Sequence, residues 1–338
     1  MKPTDFSKSL TDFLAKHLPG ERGASLHTIT SYRDTFVLFI SFMEHQKNIG
    51  VERLFLKDFT RDRILAFLTW LQAERKCSNA TRNVRLAALH SFARFLQRTA
   101  PQHLYEWQEI LAIKAIKTQT GVISYLTLEG IKLLLQQPDP LTKKGLRDLV
   151  MLALMYDSAA RVQEVIDLTP SRIRLYKPFT IKLIGKGSKA RIVPLMEQQV
   201  VHLKYYMEKN GLLESNKNQS PLFFNSRMEK LTRAGINYVL QYYAQKARRQ
   251  HLISIPDKIS CHSLRHSKAM HLLQAGVHLI YIRDILGHVS VTTTEIYART
   301  DSKQKREAIE KSYQEVISNE IPMWTENHNL MEWLKSFQ

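Results

Sequence analysis

His262-Ser-Leu-Arg265-His266, followed by Leu286-Gly287-His288 and then Thr293-Thr-Glu-Ile-Tyr297, is the most informative stretch of this 338-residue chain. Leu264 opens a helical pattern that Gly276 can close in the left-handed region. Leu279, Ile282 and Leu286 form a second one, closed in the same way by Gly287. His288 then falls in the connection after a helix end. Thr292 and Glu295 have the spacing of a capping box, which predicts a short helix with a defined start beneath Tyr297. Three groups able to hold a phosphate oxygen thus precede a phenol able to attack phosphorus, and the simplest chemistry using all four is phosphoryl transfer through a covalent phosphotyrosine.

Each of these residues has a plainer reading. A lone arginine is usually a solvated charge, and a lone tyrosine is usually half-buried core. His262 and His266, at i and i+4, have zinc-ligand spacing. Cys261 and His271 are the only close additional ligands, and no second pair stands at finger spacing.

Two further segments come in order before this stretch. One is Ser158-Ala-Ala-Arg161-Val-Gln-Glu164-Val-Ile-Asp-Leu168. The other is Ile184-Gly-Lys186-Gly-Ser-Lys189-Ala-Arg-Ile-Val-Pro-Leu195, two β-like runs around a glycine-permitted turn that does not fit a Walker phosphate loop. Taken with His262-x-x-Arg265, Leu286-Gly287-His288 and a tyrosine nine residues later, these segments resemble the signature of the tyrosine recombinases, or phage-type integrases. Ala159 stands where that family usually has glycine, which allows a different turn there.

The resemblance implies a mainly α fold with a small β-sheet (α+β): an N-terminal helical SAM-like core-binding domain and a catalytic domain, closing on DNA as a C-shaped clamp. It implies a catalytic set of Arg161, Lys186, His262, Arg265, His288 and Tyr297. The arginines suit the non-bridging oxygens of a phosphorane, His288 adds a hydrogen bond, Lys186 serves as general acid, and His262 is the candidate base or proton shuttle for Tyr297. Glu164, one turn after Arg161, has the position to hold that arginine; its plain alternative is a surface carboxylate. Neither a metal ion nor another cofactor is called for, since cationic side chains meet the phosphate charge.

The rest of the sequence fits that frame. There are 49 Lys and Arg against 31 Asp and Glu, a net charge of +18, which points to a polyanionic partner such as nucleic acid. Two cysteines, Cys77 and Cys261, suit a reducing cytoplasm. No apolar run is long enough for a signal peptide or a bilayer span.

Residues 1–112 show four helical patterns, near 6–17, 28–45, 61–75 and 79–98. The fourth carries Arg82, Arg85, Arg94 and Arg98 without an acid, and Val84, Ala88, Phe92 and Phe95 are its expected buried side. Ser78, Thr81, Asn83, Arg85 and Leu86 also resemble the last core-binding helix of the family, making Thr81, Arg82, Asn83 and Arg85 candidate DNA contacts.

Residues 113–124 read as an extended linker, with Lys114 and Lys117 on it. The catalytic domain is expected over 125–300. It has helices from Thr127, near 146–156 and over 234–249, a strand-like Leu222-Phe-Phe, and further phosphate contacts at Lys189, Arg248 and Arg249. The tail, 301–338, is expected to hold a charged helix over 302–318. A very short apolar-striped helix through Leu330, Trp333, Leu334 and Phe337 follows, either packed on its own domain or docked into a neighbouring protomer.

The activity implied is site-specific recombination: duplex DNA with inverted-repeat core sites, four protomers on two duplexes, a 3′-phosphotyrosine and a Holliday junction, without ATP. A fold-sharing DNA-binding regulator and a type IB topoisomerase-like enzyme are the alternatives.

Overall fold

The computed structural model describes residues 3–118, 124–185, 187, 189–250, 255–300 and 330–336. They fall into two compact units, Met1–Gly121 and Val122–Gln338.

The first unit is helical throughout: α1 (Asp5–Asp12), α2 (Leu26–Lys47), α3 (Arg61–Ala73), α4 (Asn79–Thr99) and α5 (Leu104–Leu111). Oxygen caps begin the first four, with Thr4, Ser25, Thr60 and Ser78 each accepting the N–H three residues on. Between α1 and α2, Phe13–Glu21 widens into a π-helix around Pro19, whose ring nitrogen has no proton to give the ladder.

The core of this unit is an aromatic cluster of Phe6, Phe13, Phe36, Phe39, Phe59, Phe67, Phe92 and Trp107. Phe39 meets Phe67 edge to face at 5.4 Å, and Trp107 donates Nε1–H to the Ala100 carbonyl at 2.9 Å. The sequence reading contained no helix at α5, although α5 supplies Trp107. Eight residues are too few for a periodicity to stand out.

In α4 Ala88, Phe92 and Phe95 are buried as expected, but the first turns differ. Val84 is exposed, while Arg82 is buried and Arg85 turns onto α2, donating to Ser31 O and Thr35 Oγ1 at 3.1 Å each.

The second unit contains α6 (Leu128–Leu135), α7 (Lys143–Asp157), α8 (Val162–Ile166), β1 (Ile173–Arg174), β2 (Thr180–Ile184), β3 (Ala190–Pro194), α9 (Glu197–Lys209), α10 (Arg233–Gln250), α11 (Cys261–Gln274), α12 (Leu279–Leu286), α13 (Thr292–Thr300) and α14 (Leu330–Lys335). The strands form an antiparallel sheet in the order β1-β2-β3, with Ile181 opposite Val193 and Ile184 opposite Ala190.

Leu222-Phe-Phe is not a strand; only Phe224 bridges, to Lys230. The helix α9, which buries Val200, Leu203, Tyr206 and Met207, has no counterpart in the sequence reading.

Two apolar clusters share this unit. The larger joins α6, α7, α9, α10 and the sheet. The smaller holds Ala159, Ala269, Met270, Leu273, Ile282, Leu286 and Tyr297. The helix α11 belongs to both, giving Leu264 to the first and Met270 to the second. Its polar residues Arg265 and His266 lie at the seam. The expected helix over 302–318 lies outside the described residues, and in α14 Met331 and Leu334 are exposed. Among the described residues no helix is long and apolar enough to cross a membrane.

Candidate active site

The C-terminal end of α12 organises the site. A helix leaves its last carbonyls without partners and carries partial negative charge there. Three successive carbonyls at this end each accept from a different guanidinium: Ile285 O from Arg191 Nε at 2.8 Å, Leu286 O from Arg265 Nη2, and Gly287 O from Arg161 Nη2 at 3.2 Å. Gly287, at φ 62°, reverses the chain: its own N–H donates to Asp284 O and the N–H of His288 to Arg283 O. His288 is thereby fixed just beyond the helix end, with Nδ1 3.0 Å from Oγ1 of the buried Thr294.

Arg161 caps the start of α8, and its neighbour Glu164 is buried beneath it. Glu164 accepts the Arg161 N–H at 2.7 Å and Nη1 at 2.9 Å, and takes both terminal nitrogens of Arg191 at 2.7 Å. Burial opposes ionisation, but the Arg191 and Arg161 bonds outweigh it and hold the carboxyl at about 2. Glu164 is thus a buried anion and not a surface carboxylate.

Arg265 is 3% exposed and reaches back with Nη1 to the Ala159 carbonyl at 2.7 Å. Ala159 takes the left-handed conformation, φ 49°, that a glycine would adopt there without strain. The turn thus takes the left-handed form with an alanine in place, and its carbonyl is aimed at Arg265.

The helix α11 starts three residues earlier than expected, at Cys261, with Ser263 Oγ accepting the Ser260 N–H at 3.0 Å. His262, Arg265 and His266 are accordingly at i, i+3 and i+4 of one helix. His262 is only partly covered, and that partial desolvation together with Arg265, Arg161 and Arg233 lowers its pKa.

Tyr297 lies on α13, with Thr292 as the first helical residue. The start is made by Ser290, whose Oγ accepts the Thr292 N–H at 3.2 Å, so Thr292 is not the cap expected of it. The Tyr297 phenol is 1% exposed, and its Oη is 2.8 Å from His266 Nδ1. Burial raises its pKa, and the opposing pull of Arg265 and Arg161 does not cancel that rise.

The structure thus brings Arg161, Glu164, Arg265, His288 and Tyr297 together. Lys186 lies outside the described residues. Its neighbour Gly185 is close to the cluster: a Cβ there would stand 3.1 Å from Glu164 Oε1.

The sequence reading missed Arg191 and His266. Arg191 had a signal: it shares one face of β3 with buried Val193 and then Leu195, and an inward-facing arginine requires a buried acid. For His266 the sequence offered only the role of a zinc ligand.

The zinc set does not form. His271 bonds Tyr156 Oη at 2.9 Å, burial pushes the Cys261 thiol up to about 11, and among the described residues no three His, Cys, Asp or Glu gather around one point.

Of the candidate DNA contacts, Lys114, Lys117, Lys189 and Arg249 are exposed. Thr81 is half-buried, its N–H held by Ser78 Oγ at 3.2 Å. Four others are turned to the protein itself. Arg82 is buried and Arg85 is bound to α2. Asn83 pairs with both backbone groups of Ile116, at 2.8 and 3.1 Å, and Arg248 donates to the carbonyls of Pro256 and Asp257. Asn83, Arg85 and Arg248 anchor loops and helices in this structure, which spacing along the chain could not reveal.

Comparison with known proteins gives a consistent result. Residues 124–304 match the phage integrase family, and residues 10–100 match the N-terminal SAM-like domain of phage integrases. The chain is 32% identical over 336 residues to the putative integrase/recombinase y4rC of Sinorhizobium fredii, covering 99% of each. It is 32% identical over 288 residues to tyrosine recombinase XerC of Roseiflexus castenholzii, covering 83% of this chain and 86% of that one.

Among solved structures, the XerH site-specific recombinase bound to palindromic difH substrate, in a post-cleavage complex, superposes with a TM-score of 0.69. Identity is 23%, with 89% of this chain and 84% of that chain covered. The Tn1549 transposon integrase in complex with transposon right end DNA gives 0.66 at 14% identity, covering 90% and 99%. With identities this low, the two structures speak for a shared fold alone. The family match and the full-length sequence relatives go further: the chain belongs to the phage integrase family and is a tyrosine-type site-specific recombinase.

Proposed function

We propose that the chain breaks and rejoins duplex DNA through a covalent bond between Tyr297 and a 3′ phosphate. The observation that carries this reading is the Tyr297 hydroxyl, buried beside the guanidiniums of Arg265 and Arg161, whose charges reach it. Two fixed cations beside the phenol offset part of what burial costs its ionisation, and the same cations suit an anionic ester.

In this reading Arg161 and Arg265 exchange their α12 carbonyl partners for the non-bridging oxygens of the scissile phosphate. Their charge grows in value as the phosphorane gains negative charge. Arg161 stays in register because Glu164 keeps hold of its backbone and of Nη1. With Thr294 fixing Nδ1, His288 offers Nε2–H to a third oxygen. Lys186 protonates the leaving 5′ oxygen, and His262 links the site to solvent protons. The phosphotyrosine conserves the ester's free energy, so a 5′ hydroxyl from a second strand reverses the attack without ATP, metal or another cofactor.

The same reading extends to partners. The +18 charge suits a polyanion, and a relative of the same fold is a recombinase bound to a palindromic substrate. The substrate is then double-stranded DNA with inverted-repeat core sites in the cytoplasm, held by four copies on two duplexes exchanging strands through a Holliday junction. Residues 1–112 and 125–300 both contact DNA, joined by 113–124, and the tail 301–338 links neighbouring copies.

The test is covalent trapping. A core site recovered by binding selection from randomised duplexes is nicked near the scissile phosphate, so that the cut fragment diffuses away. The wild-type chain then becomes attached to DNA in a form that survives denaturant, and Tyr297→Phe does not. Breakage and rejoining by Tyr297→Phe would overturn the reading, and failure of the wild type to attach would favour a regulator that only binds.

A further inference from the structure

Tyr297 cannot attack phosphorus without losing its proton, and among the described residues its hydroxyl has one hydrogen-bond partner, His266 Nδ1 at 2.8 Å. His262, the residue the family motif suggests as base, stands one turn earlier on α11 with its ring centre 6.2 Å from that of His266. Of the two histidines, His266 is thus the one that meets the phenol, and His262 is its neighbour one turn away. We propose that His266 takes the proton from Tyr297 during attack, with His262 relaying it to solvent. This rests on the reading of Tyr297 as nucleophile and adds the residue that activates it.

The geometry supports a proton acceptor more than a packing pair. With its ring proton on Nε2, His266 presents the Nδ1 lone pair to the Tyr297 O–H; the two ring centres are 5.7 Å apart and inclined at 54°. The charges facing His266 are His262 and Arg265 on its own helix, and burial together with these holds its pKa at about 4. Arg161 from α8 bears on the Tyr297 hydroxyl, and the His288 ring from beyond α12 is close enough to feel His266.

The imidazole is therefore neutral, and available as an acceptor, throughout the physiological range. A phosphate entering this cationic site adds negative charge and makes the imidazolium easier to form as the reaction proceeds. The balance is closed: the Oη–P bond forms as the P–O5′ bond breaks, the phenolic proton goes to Nδ1, and the leaving oxygen is protonated from elsewhere. On rejoining, Nδ1 returns the proton to Oη.

The experiment is single-turnover cleavage by the full chain on the selected, nicked duplex between pH 6 and 10, with wild type, His266→Asn, His266→Gln and His262→Asn. Each duplex is made in two forms, an ordinary phosphodiester and a 5′-bridging phosphorothioate whose thiolate leaves without an acid. DNA binding and thermal melting are followed alongside, and asparagine keeps an amide close to the position of Nδ1.

His266→Asn is expected to slow cleavage by about 10²-fold or more at pH 7. The deficit should be equal on both substrates and shrink as rising pH ionises the phenol unaided. His262→Asn should give a smaller loss. The proposal is overturned if a folded His266→Asn or His266→Gln cleaves within about threefold of wild type. Rescue of the deficit by the phosphorothioate, or the larger pH-dependent loss in His262→Asn, would overturn it equally. If the wild type itself forms no DNA adduct, or Tyr297→Phe does, the underlying reading fails, a result distinct from the failure of His266 alone.

Discussion

Glu164 and Arg191 face each other as a bidentate pair, both nitrogen–oxygen distances 2.7 Å, although they belong to different elements and neither reaches solvent appreciably. Glu164 holds Arg161, and Arg191 holds the end of α12 through the Ile285 carbonyl. One ion pair thus ties together the starts of α8 and β3 and the turn that carries His288.

Removing one partner of such a pair strands the other as a buried charge. Arg191→Gln should cost about 3 kcal/mol of unfolding free energy and lower cleavage further by loosening the end of α12 that carries His288. The double variant Glu164→Gln with Arg191→Gln should lose less than the sum of the two singles. Urea unfolding read as a double-mutant cycle checks it, and strict additivity would refute the coupling.

Acid should weaken the fold in two stages. His266 and His288, both held at about 4, bind protons more readily unfolded, so stability is complete above pH 6.5 and falls toward pH 4. The loss is at most about 3 kcal/mol for each ring. Glu164, held at about 2, contributes above pH 4.5 and loses its contribution as pH falls through 2. Unfolding midpoints at pH 7.5, 5.5 and 4.5 should decline, and His288→Gln should flatten the first stage.

Ala159 occupies a left-handed backbone whose carbonyl accepts from Arg265. Ala159→Gly should relieve that conformation and stabilise the chain by about 1 kcal/mol while leaving cleavage intact. Ala159→Val should do the reverse. Thermal melting of the two variants distinguishes the outcomes, and a destabilised glycine variant would contradict the assignment.

At Gly287 the constraint is double. A Cβ would stand 2.9 Å from Arg191 Cδ, a side chain pinned at three nitrogens, and the backbone has φ 62°. Gly287→Ala is expected to cost about 1–2 kcal/mol for the backbone and to lower cleavage disproportionately, because both Arg191 and His288 must shift. Measuring melting temperature and single-turnover rate together separates these effects.

Asn83 closes a two-way amide pair with Ile116. Asn83→Ala should raise hydrogen exchange and proteolysis over residues 113–118 in the free chain. If the segment stays as protected as in the wild type, the pair is incidental.

The sequence alone settled the order of the motifs, the helical character of both units and the pairing of β2 with β3, and it singled out the candidate phenol. Each of these depends on periodicity or on spacing within a few residues, and such patterns are written along the chain. It could not settle which arginines face inward. Arg85 read as a candidate DNA contact, and Arg191 as one more charge on a hairpin; their inward turn depends on α2 and on Glu164, which are far away in sequence. Nor could it choose between two histidines four residues apart, because both are on the helix that forms the site. Tertiary packing placed the phenol of α13 against His266, and a contact across 31 residues has no local signature.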